Sequence, residues 1–167
     1  MTSTLRTLCL TIFFFFACQA NPKTQTDSPT QGKVIAIADG DTFTLLDSDN
    51  RQERVRLYGV DCPEKNQPFG QVARKRLSAL VFGKPVRLES RGRDRYKRVL
   101  ALVWVNDTVL VNTQLLKEGL AWHYDRYDDD PQWEALEQVA REERVGLWTE
   151  PSPTEPWNWR KADREER

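Results

Sequence analysis

From Lys33 onward, apolar and polar positions alternate in short runs that predict β-strands. Lys33 to Ala38 (KVIAIA) is alternating and β-branched, Thr42 to Leu46 returns, and Glu53 to Val60 alternates with Val55 and Leu57 on one face. Asp39-Gly40 reads as a type I′ hairpin turn between the first two. Val86 to Arg91 and Val99 to Val105 add two strands, joined by the charged loop GRDRYK. Between these groups the period lengthens. Ala73, Leu77, Leu80 and Val81 share one stripe of a helix over residues 70–82, which Gly83-Lys84-Pro85 ends. A short helix over 112–118 stops at Gly119, and a longer one starts at Asp130-Pro131 and turns Trp133, Leu136, Val139 and Ala140 inward. The order βββαββαα predicts an α+β fold that is mainly β, a five-stranded OB-like Greek-key barrel packed with about three helices.

The two ends follow different patterns. Arg6 precedes a ten-residue apolar run, Leu8 to Ala17, about half of what a bilayer span requires. Residues 1–20 therefore read as a signal peptide, which would place the chain outside a bacterial cytoplasm, secreted or periplasmic. Two cleavage sites compete. FFAC, ending at Cys18, resembles a lipoprotein signal that would anchor the chain to the envelope membrane through a lipid on Cys18. Cys18-Gln19-Ala20 offers the other cut, before Asn21. Residues 21–31, with Pro22 and Pro29, read as a flexible tether, residues 32–150 as the folded domain, and 151–167 as a tail. The tail is rich in proline, and Trp157 and Trp159 point to partial docking on the domain.

Composition narrows the chemistry. At 167 residues there is room for one domain, and 25 Lys+Arg balance 25 Asp+Glu. The balance hides a local imbalance. Lys84 to Arg98 carries seven basic side chains against two acids, while Glu118 to Glu143 carries nine acids against Arg126 and Arg141. A basic strand–loop–strand of this kind suits a phosphate backbone, though charged surfaces are ordinary. The single histidine, His123, excludes paired-imidazole catalysis and HExxH zinc sites. It reads as a surface or strand-edge residue. Cysteines 9, 18 and 62 offer no CxxC pair, and either signal cut leaves Cys62 as the only thiol. Trp104, Trp122, Trp133 and Trp148 read as core.

Three short motifs carry candidate chemistry: ADGDT (38–42), VRLYGVDCPE (55–64) and DRYKR (94–98). Each alone could be turn or surface chemistry. Arg56 is the odd member, because it interrupts an alternating strand and so calls for a carboxylate partner. With VN, LLKEGLAW and the closing EERVGLW, these motifs resemble the staphylococcal nuclease family over about residues 31–150. That resemblance implies a Ca2+-dependent phosphodiesterase on an OB-type barrel, a monomer that cuts DNA and RNA to leave 3′-phosphates. Asp41 and Asp61 would ligate Ca2+, joined by the main-chain carbonyl of Cys62. Glu64 would be the catalytic carboxylate, with Arg56 and Arg98 binding phosphate. Arg95, Tyr96, Tyr124 and Tyr127 would face the substrate.

Oxygen ligands suit a hard cation, and guanidinium forks match phosphate oxygens. Lys97 stands where the family carries glycine, so a positive φ there is expected to cost on the order of 1 kcal/mol. The loop after Glu64 is also shortened. Two rival readings are a barrel that binds nucleic acid without cutting, and a lipid-anchored envelope protein that holds anionic polymers. The joint presence of Asp41, Arg56, Asp61, Glu64 and Arg98 favours the enzyme.

Overall fold

A computed structural model of the chain describes residues 30–166. The expected signal peptide (1–20), its Cys18 and most of the tether lie outside these residues. Thr30 and Gln31, expected in the tether, already pair with Leu88 and Arg87, so the first strand begins earlier than its sequence pattern suggests.

β1 (Thr30–Ile37), β2 (Thr42–Asp47) and β3 (Gln52–Leu57) form an antiparallel meander. β4 (Val60–Asp61) and α1 (Gly70–Val81) lead to β5 (Pro85–Arg93), which lies antiparallel to β1, and β6 (Val99–Val105) follows beside β5. Parallel pairing of β6 with β3, through Val55↔Val99 and Leu57↔Ala101, closes five strands into a barrel without free edges. β7 (Val109–Leu110) extends β6, and α2 (Val111–Lys117) begins at once. β8 (Trp122–His123) pairs with β4, and α3 (Pro131–Glu142) and a 3-10 turn (Gly146–Thr149) follow. The tail forms a fourth helix, α4 (Pro156–Glu165), where the sequence pattern led us to expect about three.

Alternation places Val34, Phe43, Leu45, Val55, Leu57, Leu88 and Val103 inside the barrel, all at most 1% exposed. Each contributes about 1.5–3 kcal/mol of burial. Ala73, Leu77 and Val81 of α1 pack against this core, as do Leu115 and Leu116 of α2. A second cluster gathers Trp122, Ala140, Leu147 and Trp148, with Trp157 of α4 packed on it.

Four expectations need correction. The Asp39-Gly40 connection is not type I′, which requires positive φ at both central residues, and neither has one. It is a wider loop in which Ala38 and Asp39 N–H groups donate to the Thr42 carbonyl. Val139 is half exposed; at 100° per residue it falls off the face set by Trp133, Glu137 and Ala140. Trp104 alternates outward from Val103 and Val105, and lies beneath the Arg87 guanidinium at 5.3 Å. His123 is a strand-edge residue but not a surface one: its side chain is 7% exposed, beside Trp133 and Asp128.

Lys97 does adopt a positive φ, 63°. Asp94 locks its turn, accepting from the backbone N–H groups of Tyr96 and Arg98 at 2.9 and 3.0 Å. Lys97→Gly should therefore stabilise the protein by about 1 kcal/mol, raising Tm by roughly 2–4 °C. Thermal unfolding decides the point; an unchanged or lower Tm would mean that the turn stores no strain.

Candidate active site

Two chain segments meet at one side of the barrel: the loop 38–41 and the stretch from β4 to α1. The Asp39 carboxylate accepts from the Asp41 N–H at 3.1 Å, and the Leu57 N–H donates to the Asp41 carbonyl at 2.9 Å. Gly40 allows the loop to press inward. A Cβ there would lie 2.7 Å from the Cys62 Cβ and 2.8 Å from the Ala73 Cβ, so the glycine is demanded by close approach and not by turn type.

Strand alternation turns Arg56 away from its core neighbours Val55 and Leu57 and toward two carboxylates. Its Nη1 donates to Asp41 Oδ1 and its Nη2 to Asp61 Oδ1, both at 2.6 Å. The three side chains are 16%, 3% and 1% exposed, so this is a buried ion triad. Asp41 also accepts from the Cys62 N–H at 2.9 Å and the Thr42 hydroxyl at 3.0 Å. Burial pushes the Asp41 pKa up to about 6, against the pull of Arg56 and with help from Asp39. Burial works against the Arg56 charge too, but Asp41 and Asp61 outweigh it and hold its pKa above the ordinary arginine value.

The Cys62 thiol is buried and donates to the Gly40 carbonyl at 3.2 Å. Burial, then the charges of Asp41 and Asp61, push its pKa well up, so it stays a thiol and offers no soft ligand. Glu64 follows Pro63 in a loop that its own backbone fixes. Its N–H donates to Gln67 Oε1 at 3.0 Å and its carbonyl accepts from the Gln67 N–H at 2.9 Å. Gly70 lies so close beneath that a Cβ would sit 1.8 Å from the Glu64 carbonyl oxygen. The Glu64 carboxylate is aimed at the same cluster as Asp61, and Arg160 of α4 joins them. Arg160 Nη2 donates to Asp61 Oδ2 and Nη1 to Glu64 Oε1, both at 2.7 Å.

Arg98 stands at the edge of this cluster. Its Nε donates to Asp94 at 2.7 Å and its Nη1 approaches the Thr42 hydroxyl at 3.4 Å, so Thr42 links it to Asp41. Tyr96 is 64% exposed beneath the guanidiniums of Arg95 and Arg98, at 4.8 and 5.5 Å. Tyr124 directly follows β8 and donates its N–H to the Gly59 carbonyl, which sets it alongside the strand that carries Asp61. Its ring meets Tyr127 edge-on at 5.0 Å, and the Tyr58 hydroxyl donates to the Tyr127 carbonyl.

The structure thus brings Asp41, Arg56, Asp61, Cys62 and Glu64 together, links Arg98 through Thr42, and leaves Arg95, Tyr96, Tyr124 and Tyr127 on flanking loops. Three participants escape the sequence reading. Thr42 lies inside ADGDT and was legible there. Gln67 carries no local signal. Arg160 follows two tryptophans in a helix opened by Pro156 at its first turn, a pattern the tail did display.

The donors are carboxylate oxygens, which suit a hard cation such as Ca2+. Among the described residues, no three His, Cys, Asp or Glu side chains form a ready-made metal cage. A cation here would complete its shell with backbone carbonyl, water and phosphate oxygens, which Ca2+ tolerates.

The family model described as "Staphylococcal nuclease homologue" matches residues 54–150. An "Uncharacterized endonuclease" of Haemophilus influenzae is 42% identical over 132 residues, covering 79% of this chain and 74% of that protein. "Protein ParB" of Escherichia coli is 41% identical over 147 residues, 82% of each chain. A "Micrococcal nuclease" of Shigella flexneri is 41% identical over 145 residues, 80% of this chain and 82% of its own.

Proposed function

This chain belongs to the staphylococcal nuclease homologue family and is a nuclease, and from that premise we propose that it hydrolyses DNA and RNA phosphodiesters with Ca2+, leaving 3′-phosphate ends. The observation that supports this most is the Arg56 bridge between Asp41 and Asp61, with Glu64 aimed at the same cluster.

In this reading Asp41, Asp61 and the Cys62 main-chain carbonyl hold the cation. When bound, Ca2+ supplies positive charge beside the phosphoryl oxygens and a place for water at the reacting phosphorus. Glu64 would take the proton from the attacking water as the water oxygen bonds to phosphorus. The bond from phosphorus to the 5′ oxygen breaks, that oxygen takes up a proton, and the phosphate remains on the 3′ side. Arg56 uses two of its five N–H donors on Asp41 and Asp61, which leaves others for a phosphate oxygen. Arg98 supplies a second guanidinium, permanently charged, for the anionic five-coordinate transition state. Arg95, Tyr96, Tyr124 and Tyr127 line the approach of the nucleic acid, and the enzyme acts as a monomer.

Product ends test the reaction. Fragments should resist a 5′-phosphate-dependent exonuclease until kinase treatment adds a 5′ phosphate, and should require phosphatase before a polymerase extends their 3′ ends. Direct extension without phosphatase would contradict cleavage at the 5′ oxygen.

We further place the enzyme outside the cytoplasm, on the charged and apolar pattern of residues 1–20. The mass of the mature N-terminus distinguishes a lipid on Cys18 from a cut before Asn21, and an intact Met1 would sink both.

A further inference from the structure

We propose that Arg160 is a tethered counter-cation that competes with the divalent cation for Asp61 and Glu64, making α4 a displaceable strap over the active site. This rests on the reading of Asp41 and Asp61 as cation ligands.

The guanidinium of Arg160 spans its targets. Nη2 lies 2.7 Å from Asp61 Oδ2, while Nη1 lies 3.1 Å from Asp61 Oδ1 and 2.7 Å from Glu64 Oε1. Arg56 already takes Asp61 Oδ1 from the other side, so both oxygens of Asp61 face guanidinium nitrogens. A divalent cation on Asp61 would stand within a few ångströms of the Arg160 charge. At that range the two charges repel strongly, and Arg160 covers Oδ2, the one Asp61 oxygen that Arg56 leaves open to a cation. Glu64 is engaged by the same group, so Arg160 also holds the carboxylate that would receive the water proton.

The strap covers the substrate side as well. Trp157, one helical turn before Arg160, stacks on the Tyr124 ring with centroids 5.0 Å apart and planes 14° from parallel. A nucleotide base could use that face of Tyr124 only after Trp157 leaves. The same indole meets Trp122 edge-on at 5.9 Å, and the Gln67 side chain donates to the Thr154 carbonyl at 2.6 Å. One residue, Gln67, thus holds both the Glu64 backbone and the segment that leads into α4.

The helix is otherwise seated by Trp157, which packs on the Trp122–Trp148 cluster, and by Trp159 beside Phe69 and Trp122. It has ten residues, and Pro156 is its one buried residue. A helix so short is marginal on its own and depends on its docking contacts. The ion pairs of Arg160 add to those contacts, and a cation that takes Asp61 removes them.

Three measurements on the full chain test the strap. In wild type, Ca2+ should raise hydrogen exchange across 156–165; unchanged or increased protection would overturn the proposal without any variant. Calorimetric Ca2+ titration of Arg160→Ala should show roughly tenfold tighter binding than wild type. Half-maximal cleavage should move to lower Ca2+ by a similar factor. Equal Kd in both proteins would remove the strap and leave the cation reading standing. Lower turnover of Arg160→Ala at saturating Ca2+, with weaker or equal binding, would assign Arg160 to the substrate phosphate instead. No Ca2+ binding by either protein would defeat the cation reading itself, and the strap with it.

Discussion

Glu64→Gln is expected to lower turnover by about 10²- to 10⁴-fold while leaving nucleic-acid binding and Ca2+ affinity near wild type. The amide keeps the size of the side chain and an acceptor oxygen for Arg160, so the docked helix is retained. What it loses is the ability to take a proton from water. Stability should change little, because Glu64 and Arg160 are about one-third exposed and such pairs contribute roughly 0–1 kcal/mol. The check is kcat and KM measured together, with circular dichroism to confirm folding. Unchanged kcat would show that the proton goes elsewhere. Weakened binding with turnover per bound substrate preserved would make Glu64 a binding group.

Arg56→Met should do more damage, to the fold as well as to catalysis. It strands Asp41 and Asp61, 3% and 1% exposed, without their shared cation. Breaking a buried pair from one side costs about 3–5 kcal/mol, because the surviving charges stay desolvated. The loss should depend on pH, with a definite sign. Asp41 in wild type already has a pKa near 6, above the ordinary 3.8, so the folded state holds a proton that the unfolded state releases in between. Its contribution is present below about pH 4 and lost as pH rises through about 6.

Without Arg56 both carboxylates lose their counter-charge, and the Asp41 pKa rises further. The variant should then lie closest to wild type near pH 5 and fall furthest behind at pH 8. Denaturant unfolding across that range measures it; a deficit independent of pH would mean that the triad is not the source. Arg56→Lys should recover only part of the loss, since one ammonium cannot match two carboxylates at the ends of a planar fork.

How far the sequence carried this account depends on the range of each interaction. β6 matched its pattern at both ends because Val99 to Val105 is an unbroken run of seven apolar residues between Arg98 and Asn106. The β4–β8 pair left no trace, since two-residue strands have no period to read. The parallel closure of β3 on β6 is a long-range choice that local patterns do not encode. Asp39-Gly40 misled for a related reason. Its dipeptide signal is local, but the loop is shaped by Gly40 pressing on Cys62 and Ala73.

The acids and arginines at the site were legible as a spaced set, and Arg56 stood out physically as a charge inside a strand. Gln67 and Arg160 were not. Gln67 acts through backbone hydrogen bonds that any loop glutamine might make, and Arg160 reaches Asp61 across 99 residues. The tail showed aromatic spacing that suggested docking, but nothing in it named the carboxylates it would meet.

The central claim is that these carboxylates and guanidiniums form a cation-dependent centre for phosphodiester cleavage. The most direct measurement is cleavage of single-stranded and duplex DNA by the purified protein in Ca2+, then after excess EGTA, then after Ca2+ is restored. Cleavage that stops with EGTA and returns with Ca2+, and is absent throughout in Glu64→Gln, is the predicted result. Cleavage that continues in EGTA, or a folded protein that binds Ca2+ and nucleic acid yet never cuts, would contradict it.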